Sequence, residues 1–285
     1  VVFCKKVSHP LLSTQLGGCM SPENYFDLAH RLADLASDRS RKALAQGFAS
    51  ERKLDKTWVT EADVAIEREI RDHLAREAPG TRVLGEEEGG APLVDGDELT
   101  WILDPIDGTF SFVHGIPFYS SLLALYRGRE PVLGVACLPG LGVKMSALRG
   151  KGAFIGTEPY SRSRFVGAPQ VEVVATADPY RFRMEGCASV QESLYGDRFK
   201  ARTYPDALGY WLLLGGHVRA FVDPKVEVWD VAPFHCILAE AGFAIHPWHD
   251  AKAGLQRGTS VAYPLDAVGL PLAVDDVLSL LASTR

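Results

Sequence analysis

The segment Trp101-Ile102-Leu103-Asp104-Pro105-Ile106-Asp107-Gly108-Thr109 constrains this chain more than any other. Its apolar opening reads as a brief buried strand that stops at Asp104. Two aspartates then stand three apart across a proline, followed by a Gly-Thr pair suited to a helix start. A strand end and a tight turn can aim both carboxylates and an intervening carbonyl at one point, and hard divalent cations take such oxygen ligands. The backbone N–H groups of Gly108 and Thr109, with the Thr109 hydroxyl, suit a phosphate. Alone, Asp-x-x-Asp-Gly is as often an ordinary turn, so its meaning depends on the rest of the chain.

Three further carboxylate clusters stand at junctions between a strand or loop and a helix: Val59-Thr60-Glu61-Ala62-Asp63, Gly85-Glu86-Glu87 and Trp229-Asp230-Val231-Ala232. Each has a plain structural reading. Thr60 and Asp63 make a capping box, a glutamate run in a loop is solvated, and Asp230 caps a helix. Four such clusters in one chain, in this order, weaken those separate readings.

The elements around them follow from local signals. Ser21 caps a helix with Pro22 at its first position, and Tyr25, Leu28, Ala29, Leu32, Leu35 and Ala36 fall on one face. Asp55-Lys56-Thr57-Trp58 reads as a turn or short hairpin. A second helix starts at Thr60, buries Ile66, Ile70 and Leu74, and ends at Pro79-Gly80. Strands are expected at 119–126, 132–138, 143–148 and 152–155. Further on, Val171–Ala175, Arg219–Val222 and Phe243–Ile245 read as strands, and Ala207–Leu214, Val231–Ala241 and Asp275–Leu281 as helices. A strand-rich first half and an alternating second half suggest residues 20–160 as an N-terminal α+β part with most of the acidic clusters. Residues 161–285 would be a C-terminal α/β part carrying Asp230 and the substrate-selecting residues. Residues 1–19 read as an extension upstream of a start at Met20.

Composition excludes some functions. The net charge of −6 comes without a basic block, so the electrostatic footprint of a nucleic-acid binder is missing. An acidic protein handling an anionic phosphate is consistent only if bound cations reverse the local field. Five widely spaced cysteines, Cys4, Cys19, Cys137, Cys187 and Cys236, form no C-x-x-C pair. They read as reduced thiols of a cytoplasmic protein, with Cys137 and Cys236 in the core. No apolar run is long enough for a transmembrane helix.

The nine residues from Trp101 to Thr109 resemble a signature of the inositol monophosphatase superfamily, continued by Phe112, Gly115 and Pro117. Val59–Asp63 and Gly85-Glu86-Glu87 resemble its other metal segments. Trp229-Asp230-Val231-Ala232 with Glu240-Ala241-Gly242 is similar to its second signature. The likeness spans about residues 21–285, with Ser111 in place of a usual Asn and Phe243 in place of a usual Gly. It implies an α+β fold, a layered α/β/α/β/α sandwich of the inositol monophosphatase and fructose-bisphosphatase type, a homodimer, and Mg²⁺-dependent hydrolysis of a small phosphomonoester. Glu86, Asp104 and the Ile106 carbonyl would hold one Mg²⁺. Asp104, Asp107 and Asp230 would hold a second, and some relatives place a weaker third near Glu86 and Glu87. Thr109 and Asp63 would orient the attacking water and take its proton, while Gly108 and Thr109 hold phosphate oxygens.

Arg202-Thr203-Tyr204-Pro205-Asp206-Ala207-Leu208-Gly209-Tyr210 and Ala220-Phe221-Val222-Asp223-Pro224 resemble the histidinol-phosphatase branch. Asp206 and Asp223 would form an acidic rim for a cationic leaving group. Alternatively, Asp206 simply caps the helix that begins at Ala207. Arg202 would pair with Asp206 or reach the phosphate. The runner-up substrate is inositol 1-phosphate or a related sugar phosphate, with Asp223 receiving a ring hydroxyl. A non-catalytic partner-binding role would predict eroded ligands, and every ligand position is filled.

Overall fold

The computed structural model describes residues 20–52, 58–90, 92–161, 172–186, 188–195, 199–247 and 257–264. The first nineteen residues, Cys4, Cys19, Cys187 and the expected helix Asp275–Leu281 lie outside the described residues. Helix α1 (Pro22–Gln46) is capped by Ser21, whose Oγ accepts the Asn24 N–H at 3.2 Å. Its buried stripe includes Tyr25, Leu28, Ala29, Leu32 and Ala36. Strands β1 (Ser50–Arg52) and β2 (Trp58–Thr60) pair antiparallel, and residues 55–57 of the expected turn lie outside the described residues. Helix α2 (Glu61–Glu77) begins at the Thr60–Asp63 capping box and buries Ile66, Ile70 and Leu74.

Next come β3 (Arg82–Gly85), β4 (Leu99–Asp107), α3 (Thr109–Val113), β5 (Ser120–Arg127), β6 (Glu130–Leu138), β7 (Val143–Leu148), β8 (Gly152–Ile155) and β9 (Glu158–Pro159). The seven strands from β3 to β9 lie side by side in chain order, with only the β3–β4 pair parallel. The chain continues with β10 (Glu172–Thr176), α4 (Pro179–Met184), α5 (Ala188–Ser193), β11 (Phe199–Thr203), α6 (Asp206–Leu214), β12 (Ala220–Glu227), α7 (Val228–Ala241), β13 (Phe243–Pro247) and β14 (Arg257–Pro264), whose strands form a second sheet. Its five strands run in the order β11-β10-β12-β14-β13.

Helices α1 and α2 cover one face of the large sheet. Helices α6 and α7 fill the space between the two sheets, and α4 packs on β12 with α5 beside it. This is the α/β/α/β/α sandwich that the resemblance implied. The central strands are apolar without alternation because both of their faces are covered. Strand β5 is buried at every position from Ser120 to Tyr126.

Candidate active site

Asp104 and Asp107 present a geometric difficulty. Residues an odd number apart in a regular strand point to opposite faces. The expected strand end at Asp104 is not found: β4 continues to Asp107 and carries one extra residue there. Asp104 pairs with Leu122 while Asp107 pairs with Ser120. This bulge resets the alternation. Trp101 and Leu103 pack toward α1 and α2, and so does Ile106 beyond the bulge. Asp104 and Asp107 are therefore both turned to the other face, toward α6 and α7.

Asp230 arrives there from the first turn of α7. Its Oδ2 accepts the Glu227 N–H at 2.8 Å. One carboxylate oxygen each of Asp104, Asp107 and Asp230 lies within 4.8 Å of the others. Asp107 is further held by the Ser120 hydroxyl at 2.5 Å and the Ala207 N–H at 3.2 Å. The Asp104 Oδ1 is buried without a hydrogen-bond partner. Burial, with the charges of Glu86, Asp107, Asp230 and Asp63, raises Asp104 well above the usual carboxylate range. Burial and the neighbouring Asp206 push Asp107 to about 8, against the pull of its two donors. Asp230 is raised by burial and by Asp107. Such a cluster fits a bound cation on its own evidence: an orphaned carboxylate oxygen, and mutual repulsion that positive charge would relieve. Glu86 lies within electrostatic reach of all three but outside that tight group.

Asp63 serves as capping residue and also faces the cluster. Its Oδ2 accepts the Thr60 N–H at 2.8 Å and the Thr60 hydroxyl at 2.5 Å, while its Oδ1 is buried without a partner. Burial, partly offset by Thr60, raises it to about 6. The Thr109 hydroxyl donates to the Ile106 carbonyl at 3.1 Å. Gly108 has φ +76°, a left-handed turn that brings β4 into α3.

In the C-terminal part, neither the alternative role of Asp206 as a helix cap nor its pairing with Arg202 is found among the described residues. The N-cap position of α6 is Pro205, with no side-chain cap, and Asp206 is the first residue of the helix. The Ala207 N–H is instead taken by Asp107, from the other sheet. Asp206 has φ +58°, alone among the described non-glycine residues in having a positive value. Its Oδ2 lies 3.0 Å from where a Cβ on Gly108 would stand. Burial raises its pKa and Arg181 lowers it. Asp223 is buried on β12, where a second bulge falls between Asp223 and Val226. Its Oδ1 accepts the Lys225 N–H at 2.9 Å, and burial raises it to about 7. Arg202 is exposed on the edge strand β11, and its guanidinium donates to the Ala201 carbonyl at 2.8 Å. The expected pairing with Asp206 is not formed among the described residues, because Arg202 lies on the outer edge of the sheet.

The guanidinium that faces these acids belongs to Arg181 on α4, which the sequence reading did not single out. Burial opposes its charge, but Asp223, Asp206, Asp230 and Asp107 together hold it more firmly protonated. It keeps solvent access, so part of that field is screened. Its Nη1 donates to the Lys225 carbonyl at 3.2 Å. This contact is not legible locally, since Arg181 stands 25 residues or more from each of these partners in the chain, although Asp178-Pro179 is a local start signal for α4 itself.

The inositol monophosphatase family profile matches residues 21–268. A histidinol-phosphatase of Mycobacterium tuberculosis is 36% identical over 241 residues, covering 82% of this chain and 91% of that protein. An inositol-1-monophosphatase of Mycobacterium bovis is 34% identical over 196 residues, 65% of this chain and 66% of the relative. A solved Thermotoga maritima IMPase superposes with a TM-score of 0.73 at 26% identity, over 92% of this chain and 98% of its own. With the sandwich, the bulged strand and the carboxylate cluster in place, the family match over nearly the whole described chain shows that this protein belongs to the inositol monophosphatase family.

Proposed function

We propose that the chain is a Mg²⁺-dependent phosphomonoesterase acting on a small alcohol phosphate, with histidinol phosphate as the leading substrate. The observation that carries the reaction class is the convergence of Asp104, Asp107 and Asp230 within 4.8 Å of one another, from two sheets' worth of structure. Glu86, Asp104 and the Ile106 carbonyl would hold one Mg²⁺, and Asp104, Asp107 and Asp230 a second, with a weaker third near Glu86 and Glu87. Bound there, the ions would supply charge stabilisation to the attacking and leaving oxygens of an in-line displacement.

The protein's own groups do the rest. Asp63 accepts a proton from the attacking water through Oδ1, since Oδ2 is tied to Thr60. Burial favours a proton on Asp63, which suits a group that must take one from water. The Thr109 hydroxyl orients the water, and the N–H groups of Gly108 and Thr109 hold phosphate oxygens. Asp206, beside Gly108, and Asp223 read the leaving group. When both are ionised, two carboxylates against the one guanidinium of Arg181 leave that wall net negative, and a cationic ammonium or imidazolium would favour that ionised state. The backbone strain at Asp206 is consistent with a side chain held for function. The name of the Mycobacterium tuberculosis relative supports the same substrate. The Mycobacterium bovis relative supports the alternative, inositol 1-phosphate, in which Asp223 receives a hydroxyl.

Phosphate release from histidinol phosphate, inositol 1-phosphate, fructose 1,6-bisphosphate and a 3′,5′-bisphosphonucleotide, with Mg²⁺ and with EDTA, tests this. Mg²⁺-dependent turnover with histidinol phosphate preferred is the expected result. Preference for inositol 1-phosphate would replace the substrate, and turnover in EDTA would overturn the metal dependence. The family resemblance also points to a homodimer, which sedimentation equilibrium would reveal as twice the chain mass.

A further inference from the structure

Glu67 is a wholly buried carboxylate outside the proposed metal-binding and substrate-binding groups. It lies one turn beyond Asp63 on α2, on the face that carries Ile66 and Ile70. A charge taken out of water must be paired and hydrogen-bonded, and Glu67 is both. Its Oε1 meets Arg71, Nε at 2.9 Å and Nη2 at 2.8 Å. Its Oε2 accepts the Glu87 N–H at 2.9 Å, and Oε1 the Glu88 N–H at 3.1 Å. Arg71 Nη2 continues to the Gly89 carbonyl at 2.5 Å. The loop that follows β3 thus hangs from one carboxylate and one guanidinium.

Gly85 makes this possible. A Cβ there would stand 2.2 Å from the Glu67 Oε1, so the missing side chain is the space that the carboxylate occupies. Glu86 sits between Gly85 and Glu87, both of which touch Glu67, and its own N–H is fixed to the Leu103 carbonyl at 3.1 Å. We propose that Glu67, locked by Arg71, is a positioning residue that sets where the 85–89 loop delivers the Glu86 carboxylate, and through it the affinity for Mg²⁺. This rests on the assignment of Glu86 as a Mg²⁺ ligand made above.

Calorimetric titration of the EDTA-stripped full chain with Mg²⁺ tests it, alongside amide exchange at Glu87 and Glu88 and the Mg²⁺ dependence of phosphate release. Glu67→Gln should weaken Mg²⁺ by about 10-fold or more, speed exchange at both amides, and lose rate that raised Mg²⁺ recovers. Arg71→Gln separates bracing from simple electrostatics. Removing a positive charge tightens Mg²⁺ if only the field matters and weakens it if the brace does. Gly85→Ala, which crowds the carboxylate without altering charge, should also weaken Mg²⁺ and serves if Glu67→Gln does not fold. Glu86→Gln isolates the underlying assignment. If it leaves Mg²⁺ affinity unchanged, both the ligand role and the brace fail. If it weakens Mg²⁺ while Glu67→Gln and Gly85→Ala do not, the brace alone is overturned. Tighter binding by Arg71→Gln overturns it as well.

Discussion

Asp104 and Asp206 carry different burdens. Asp104 stands at the centre of the cluster, repelled by Glu86, Asp107 and Asp230. In Asp104→Asn, turnover should nearly vanish at saturating Mg²⁺. The metal-free variant should nonetheless melt higher than the metal-free wild type, because a buried, repelled charge is gone. A folded variant with near wild-type rate would remove the two-ion reading. Asp206 should govern selectivity instead. A charge-assisted contact to an amine contributes about 1.5–3 kcal/mol. Asp206→Asn should therefore lower kcat/KM for histidinol phosphate by roughly one to two orders of magnitude and barely change hydrolysis of an uncharged alcohol's phosphate. Equal losses on both would assign Asp206 a structural role, and losses confined to Asp223 variants would favour an inositol substrate.

The placement of Asp230 depends on how α7 meets the large sheet. Gly134 on β6 lies against Pro233, and a Cβ there would stand 2.2 Å from the Pro233 carbonyl oxygen and 2.7 Å from its Cα. Backbone cannot yield as a flexible side chain does. Gly134→Ala should cost about 1–3 kcal/mol by overpacking and move α7 outward, taking Asp230 with it. Urea unfolding and Mg²⁺ titration of the same variant check both parts. Lost stability with unchanged Mg²⁺ affinity would show that α7 shifts without moving its first turn. Tyr126 on β5 also anchors this contact, donating to the Ala232 carbonyl at 3.1 Å and meeting His235 Nδ1 at 2.8 Å.

For the whole molecule, the pKa shifts set a pH dependence of stability. Asp63, Asp107 and Asp223 are raised to about 6, 8 and 7, and Asp104, Asp206 and Asp230 are raised as well. At these six acids the folded state binds protons more tightly than the unfolded state, and they outnumber the histidines that burial lowers, His235 (to about 4) and His30, which act in the opposite sense. Stability falls as pH rises from the ordinary aspartate value, near 4, through about 8. In EDTA the melting temperature should therefore drop between pH 5 and pH 8. If the folded cluster holds Mg²⁺ as proposed, the ion should raise it more at pH 8 than at pH 5. A flat profile in EDTA, from scanning calorimetry, would contradict the burial of these acids together.

The sequence by itself determined what depends on neighbours in the chain. The ends of α1 and α2 are local, written in Ser21-Pro22, in the Thr60–Asp63 box and in Pro79-Gly80. The four acidic clusters were legible because motif spacing is a property of sequence. Strands β11 and β14 were not read, and the central strands carried no alternation to mark which face was which, because both faces are buried. Only the tertiary structure decided that a bulge after Asp104 turns two odd-spaced aspartates to one side. It alone gave Ala207 its partner in Asp107, set Arg181 rather than Arg202 opposite Asp206, and hung the Glu86 loop from Glu67. These are contacts between residues 20 to 100 positions apart. Their partners are chosen by register and layer packing, which no local propensity encodes.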